Sequence, residues 1–170
     1  MDNQELILLV DELRALPKEN EWVEFKSGDA ATNDKVGQYI SAISNGACIN
    51  HQAFGYLIFG VDNNTHAVVG TNYKFKNRKE GNQELELWLR NLIHPSVKFQ
   101  FFSCLYGSKY LEILKIPAAV GEPTHFKKIP YIRFDSSLTD LRNHPQHIKF
   151  IYNAQEDWSA KIIEKASFND

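Results

Sequence analysis

Cysteine, methionine and any surplus of one charge are what this chain has least of. Cys48 and Cys104 are the only cysteines in 170 residues, too few for a disulfide framework. Neither a Cys-x-x-Cys pair nor a Cys/His cluster offers a zinc site, so both read as buried, small apolar side chains. No apolar run approaches the roughly 18 residues that span a bilayer. The acidic start Met1-Asp2-Asn3-Gln4-Glu5 lacks the basic lead-in of a signal peptide, so no membrane partner and a cytoplasmic location are expected. A Gly-x-x-x-x-Gly-Lys-Ser/Thr loop is missing too, which leaves ATP without its phosphate cradle. The six histidines show no ligand spacing and read as surface or loop residues. Nineteen Lys and Arg against 21 Asp and Glu give a net charge of −2, whereas neutralising a phosphate backbone demands concentrated cations. Any basic surface must therefore be local.

What the chain does have is enough apolar side chain, 43% with 11 Phe, 7 Tyr and 3 Trp, to build one packed domain. Leu6, Ile7, Val10, Leu13 and Leu16 recur at helical spacing over residues 4–16, with Asp2 or Asn3 as cap and Pro17 beyond the end. Residues 22–26 alternate, placing Val23 and Phe25 on one face of a strand and Trp22, Glu24 and Lys26 on the other. A small polar linker leads to a helix over residues 35–49, capped by Asn33 or Asp34, with Val36, Tyr39, Ile40, Ile43 and Ala47 as its stripe. Residues 54–61 are almost continuously apolar, as in a central strand covered on both faces, and end at Asp62. Strand, helix and strand in so short a span predict a parallel pair with a right-handed crossover, which brings Glu24 and Lys26 near Asp62.

Further on, residues 66–71 read as a returning hairpin strand. Gly81-Asn82 reads as the cap of a helix reaching Ile93, with Leu85, Trp88, Leu89 and Leu92 inward. Residues 97–106 and 109–116 flank Gly107-Ser108 as an antiparallel hairpin; a strand over 130–135 and a short helix over 145–152 follow. Lys127 and Lys128 fall in a turn. The expected architecture is one α/β (α+β) domain, a mixed sheet with helices packed mainly on one face. Its segments are a first helix at 1–18, the domain at 19–153, and a tail or the start of a following region at 154–170.

The chemistry concentrates at Glu19-Asn20-Glu21-Trp22-Val23-Glu24-Phe25-Lys26, where three carboxylates and a lysine surround a strand. With Asp62 at the end of the next strand, such oxygens could hold a divalent cation beside a phosphodiester, since magnesium and manganese take oxygen ligands. Lys26 would offset charge developing at phosphorus. The plainer alternative is that Glu19 and Glu21 are solvated and Glu24 pairs with Lys26 or Arg133. Arg133 itself could reach a phosphate or pair with Asp62 or Glu24. The segment Tyr73-Lys74-Phe75-Lys76-Asn77-Arg78-Lys79 alternates cations with aromatics, a pattern that stacks bases and neutralises phosphates. It would equally suit a solvated loop with Tyr73 and Phe75 turned inward.

Glu24-Phe25-Lys26 after an acidic lead-in, the run Phe54-Gly55-Tyr56-Leu57-Ile58-Phe59-Gly60-Val61-Asp62, then Val69-Gly70-Thr71, Ile116-Pro117-Ala118 and Tyr131-Ile132-Arg133-Phe134-Asp135-Ser136 together resemble the Schlafen AlbA_2 domain family. The resemblance spans roughly residues 20–152. It implies association with RNA or DNA. In the animal Schlafen members it implies RNA cleavage at a metal-dependent site whose three acids match Glu19, Glu24 and Asp62, with Mg2+ or Mn2+ as cofactor. The zinc site of those relatives has no counterpart here, and Asp135 stands where a glycine is usual. Bacterial members are described as transcriptional regulators with a further region following, and residues 157–161 resemble its start, so the chain reads as an amino-terminal piece. Three functions are therefore expected to compete: metal-dependent endoribonuclease, non-catalytic DNA-binding module of a bacterial regulator, and homodimeric assembly module pairing through a sheet edge. Lys74, Lys76, Arg78, Lys79 and Arg133 are the expected nucleic-acid contacts.

Overall fold

The computed structural model describes residues 1–17 and 20–154. Asp2 and Glu5 open the first helix by exchanging hydrogen bonds. The Glu5 N–H donates to Asp2 Oδ1 and the Asp2 N–H to Glu5 Oε2, both at 2.8 Å, satisfying donors that the helix itself cannot. Helix α1 (Asn3–Arg14) buries Leu6, Val10 and Leu13, the stripe its spacing predicts. Strand β1 (Val23–Lys26), helix α2 (Asn33–Ile49) and strand β2 (Phe54–Phe59) form the expected parallel crossover, with Glu24 opposite Leu57 and Lys26 opposite Phe59. Thr32 caps α2, its Oγ1 accepting the Lys35 N–H at 3.2 Å. Asn33, expected as cap, is the first helical residue, and its amide donates to the Lys79 carbonyl at 2.9 Å.

The next stretch departs from the sequence pattern. The expected strand at 66–71 shrinks to one bridge between Val61 and Val68, because Asp62 winds the chain into a side-chain-bonded turn and His66 leaves it with a left-handed φ of 58°. Residues 75–77 form a short 3-10 turn (Phe75–Asn77). Gly81-Asn82 caps no helix: it is the two-residue turn between strands β3 (Lys79–Glu80) and β4 (Gln83–Glu84). Gly81 supplies the φ of 57° that this turn requires. Helix α3 (Leu85–Leu92) starts four residues later than Gly81.

Strands β5 (Ile93–His94), β6 (Gln100–Tyr106), β7 (Lys109–Pro117), β8 (His125–Phe126), β9 (Ile129–Phe134) and β10 (Ser137–Asp140) complete the sheets, and helix α4 (Pro145–Asn153) follows. The first sheet runs β1-β2-β7-β6 and is mixed; the second, antiparallel, runs β10-β9-β8-β5. The β6–β7 hairpin has the expected Gly107-Ser108 turn. Among the described residues α1 is the helix that covers one face of the first sheet, packing on Val23, Phe25, Ile58 and Ile113. α2 and α3 cover the other, over Leu57, Phe59, Leu114 and Ile116, and α4 reaches the far side of α2 through Ile151 and Cys48. Cys48 and Cys104 are both buried and unbridged, and burial pushes both thiols up. His66, in contrast to the surface reading, is buried between α1 and the sheet, its Nδ1 2.9 Å from the Arg14 carbonyl oxygen.

The second sheet is fastened to α2 by polar side chains rather than by apolar packing alone. Asn45, with no exposed surface, accepts the Thr124 N–H at 2.8 Å and donates to the carbonyls of Thr124 (2.9 Å) and Tyr131 (2.8 Å). Ser41 donates to the Thr124 carbonyl and accepts the Tyr131 N–H, while Ser44 donates to the Pro117 carbonyl. Buried polar groups hold a fold only when satisfied. Asn45→Ala removes three buried hydrogen bonds, leaving the Thr124 N–H and the Tyr131 carbonyl without the amide while Ser41 still serves the Thr124 carbonyl, and should cost about 3 kcal/mol, read as a lower urea midpoint at unchanged slope.

Candidate nucleic-acid site

Glu24 projects from the middle of β1 into the space beneath β9, and only 3% of it is exposed. Its carboxylate is held between two cations: Lys26 Nζ lies 3.0 Å from Oε1 and Arg133 Nη2 lies 2.5 Å from Oε2. The Arg133 contact is an ion pair rather than a well-directed hydrogen bond, since neither Glu24 Oε2 nor Arg133 Nε has an aligned partner. Arg133 Nη1 does donate squarely, to the carbonyls of Val23 at 2.8 Å and Asn20 at 3.1 Å. Of the alternatives open for Arg133, pairing with Glu24 is the one the structure shows; being equally buried, this guanidinium does not meet a phosphate at the surface.

The acidic lead-in is braced from below. The Asn20 Oδ1 accepts the N–H groups of Trp22 and Val23, and the Glu21 carboxylate accepts the Asn50 amide at 3.0 Å. Gly46 of α2 sits so close that a Cβ there would come within 2.1 Å of the Glu21 carbonyl oxygen, so glycine is what lets the helix seat this segment.

Asp62 lies three residues past the end of β2, on the edge toward which β1 also runs. Its Oδ1 accepts from the N–H groups of Asn64 (2.9 Å) and Thr65 (2.8 Å) and from the Thr65 hydroxyl (3.0 Å). Glu19 lies outside the described residues. Among the described residues no three His, Cys, Asp or Glu side chains gather as a metal set. Glu24 as placed is already neutralised by two cations and one oxygen of Asp62 holds its own turn, so a divalent ion there would have to displace a resident cation. A third positive charge beside Lys26 and Arg133 would be repelled.

What the strand end does build is a basic cavity of about 410 Å³, walled by Lys26, Lys35, Tyr39, and Ser27, Gly28, Ala30 and Ala31 of the loop between β1 and α2. Burial by itself would pull the Lys26 ammonium down, but the Tyr39 hydroxyl and Glu24 outweigh it and hold its pKa above the ordinary lysine value. Lys26 is thus a fixed positive charge, 4.6 Å from the Tyr39 ring centroid. Lys35 is exposed, and the first turn of α2 adds its own partial positive end.

The basic segment 74–79 reaches this cavity only in part. Tyr73 and Phe75 turn inward, each 1% exposed, and the buried Glu112 carboxylate accepts the Phe75 N–H at 2.9 Å. Arg78 donates to the Ala31 carbonyl at 2.8 Å and lies over the Tyr73 ring, and Lys79 adjoins Asn33 through its carbonyl. Arg78 thus touches the cavity wall at Ala31, whereas the Lys79 ammonium lies 3.9 Å from the Glu84 carboxylate. Lys74 and Lys76 are elsewhere, over the rings of Tyr110 and Phe101. Lys35 and Tyr39 escaped the sequence reading because one looked like ordinary helix surface and the other like core.

Two expectations follow. Glu24→Ala leaves the Arg133 guanidinium buried without its partner and should destabilise the fold by about 3–5 kcal/mol, whereas Glu24→Met combined with Arg133→Met should lose much less than those two single changes summed; denaturant titration of the four variants measures this. Burial pushes the Tyr73 phenol up to about 12, with Arg78 opposing and Glu112 adding to it. The unfolded chain ionises this phenol near pH 10 while the folded one keeps its proton. Stability is therefore complete below that pH and falls as pH rises toward 12, by on the order of 2 kcal/mol from this group. Tyr73→Phe should make the alkaline fall of the urea midpoint shallower.

Comparison with solved structures places the fold among known ones. The DIP2311 protein of Corynebacterium diphtheriae superposes with a TM-score of 0.57 at 15% identity, over 90% of this chain and 29% of that one. The N-terminal domain of an ATP-dependent DNA helicase RecG-related protein of Nitrosomonas europaea gives 0.48 at 18%, over 81% and 90%. This chain thus spans under a third of the first of these proteins. A comparison with curated proteins returned no match. The family model described as "Schlafen, AlbA_2" matches residues 19–142, which carry β1, the braced acidic segment, Asp62 and Arg133, and the chain belongs to that family.

Proposed function

We propose that this domain binds nucleic acid by gripping the phosphate backbone of an unpaired strand in the cavity between β1 and α2. The observation that carries the reading is Lys26, a lysine locked in place by Glu24 and Tyr39 and facing a cavity with Lys35 and the start of α2. Two lysines and a helix start suit one phosphate group. A space of about 410 Å³ admits a phosphate and its sugar but no duplex. Arg78, bonded to the Ala31 wall, would meet a neighbouring phosphate. Glu24 acts here by positioning Lys26, and Arg133 by positioning Glu24.

Metal-dependent cleavage of RNA is a second reading. It is favoured by one observation, that the parallel pairing of β1 and β2 carries Glu24 and Asp62 toward the same sheet edge. It requires Glu24 to exchange a resident cation for a metal ion, so the binding reading stands first.

Anisotropy of labelled single-stranded RNA and DNA, titrated with the protein over a range of salt, tests both. Affinity should fall as salt rises, with a slope of about 0.7 per phosphate engaged. Lys35→Glu should weaken it about tenfold, the equivalent of roughly 1.4 kcal/mol. Affinity indifferent to salt and to Lys35→Glu and Lys26→Met overturns the binding proposal. Manganese-dependent loss of the RNA that disappears in Glu24→Gln would move the second reading ahead.

A further inference from the structure

The turn between β8 and β9 is built in an expensive way. Phe126 pairs with Ile129 and His125 with Pro130, so Lys127 and Lys128 alone make the turn. Both carry positive φ, 49° and 67°. That is the two-residue hairpin turn usually made by Asn-Gly, because a side chain with a Cβ strains the left-handed region. Two consecutive lysines there sacrifice stability, and strain kept in a fold points toward use.

Beside this turn lies a cavity of about 730 Å³ lined by Asn91, Leu92, His94, His125, Lys127 and Lys128, within the ~300–1,000 Å³ range of small-molecule sites. His94 and His125 face each other across the β5–β8 pair, so both imidazoles project to the same side. His125 Nδ1 is buried and has no hydrogen-bond partner among the described residues. Lys127 shares its charge with Asp34 at 2.7 Å and lies over the rings of Trp88 and Phe126. Lys128 is exposed and has no ion-pair partner among the described residues. Among the described residues no carboxylate lines the cavity; Asn91 adds an amide to the wall and Leu92 an apolar side chain. Ammonium groups at the mouth, ring edges and Leu92 inside, and an imidazole nitrogen awaiting a partner describe a ligand with a phosphate outside and a flat, hydrogen-bonding ring within.

We propose that this cavity is a nucleotide subsite that takes one base of the bound single strand, with the adjoining phosphate on Lys127 and Lys128. The proposal rests on the binding function given above, and the two sites are linked by consecutive residues of one helix turn. Lys35 walls the first cavity, and its neighbour Asp34 holds Lys127 of the second. A strand leaving Lys26 and Lys35 crosses the start of α2 and arrives at the β8–β9 turn.

The test uses the double substitution Lys127→Asn/Lys128→Gly, which gives the turn its preferred residues while removing both charges. The full chain and this variant are titrated with a labelled twelve-nucleotide single strand and, separately, with adenosine monophosphate, and both proteins are melted. A melting temperature equal to or above that of the parent, together with strand affinity lowered about tenfold and a salt slope shallower by about one, supports the subsite. His125→Ala, which keeps both lysines, should weaken the strand several-fold without changing that slope. Unchanged strand affinity in both variants overturns the subsite while leaving the Lys26 cavity reading intact. If adenosine monophosphate binds the parent but the strand does not, the cavity serves free nucleotides and the strand proposal fails. If neither binds, both this proposal and the binding function fall together.

Discussion

The ion pair between Glu24 and Arg133 joins the two halves of the molecule. Glu24 belongs to the first sheet and Arg133 to the second, and the guanidinium also takes the carbonyls of Asn20 and Val23. Bringing two charges out of water is costly and worthwhile only when each finds its opposite with further hydrogen bonds. That condition fixes the geometry tightly: the lead-in to β1 must lie under β9, and the remaining carboxylate oxygen of Glu24 is left to face Lys26. The position of Lys26, and with it the charge at the mouth of the first cavity, is a consequence of a bond made by the other oxygen of the same carboxylate.

The same logic extends through α2. A helix with Ser41, Ser44 and Asn45 fully buried would be unstable against an apolar surface, yet here these side chains complete the hydrogen bonding of the β7–β8 connection and of β9. They therefore set the distance between the two sheets. Gly46, two turns or so beyond the Tyr39 that supports Lys26, lets the helix close on the Glu21 carbonyl. One helix thus braces the acidic segment, carries Lys35, and through Asp34 steadies the Lys127 turn. Asp135, standing where a glycine is usual, takes the left-handed φ of 54° in the β9–β10 turn. Aspartate is among the few residues that tolerate it, so the departure is absorbed within the turn.

Local pattern in the chain was sufficient to reveal most elements and the parallel crossover. Residues 6–13, 36–47 and 54–59 show their periods plainly because one face, or both, must leave water. Alternation also showed that Glu24 and Lys26 share a face, and the resemblance led to the family. Where pattern failed, a competing local interaction had won. Gly81-Asn82 suits a helix cap and a hairpin turn alike, and the side-chain turn of Asp62 prevailed over the strand propensity of residues 66–71. The basic run 74–79 looked uniform, but buried Tyr73 and Phe75 rotate its cations to different sides, leaving Arg78 at the cavity wall, Lys79 beside Glu84, and Lys74 and Lys76 over other rings.

The amino-acid sequence by itself determined the class of fold, the buried faces, the family and the strand bearing Glu24 and Lys26, because these depend on hydrophobic period and on contacts between near neighbours. Only the tertiary structure decided which partner each charge takes. Glu24 and Arg133 are separated by most of the chain, His94 meets His125 only through strand pairing, and Lys35 and Tyr39 become a site only when the β1–α2 loop folds over them. Electrostatic partnership falls off with distance in space and is indifferent to distance along the chain, so no reading of neighbours could have settled it.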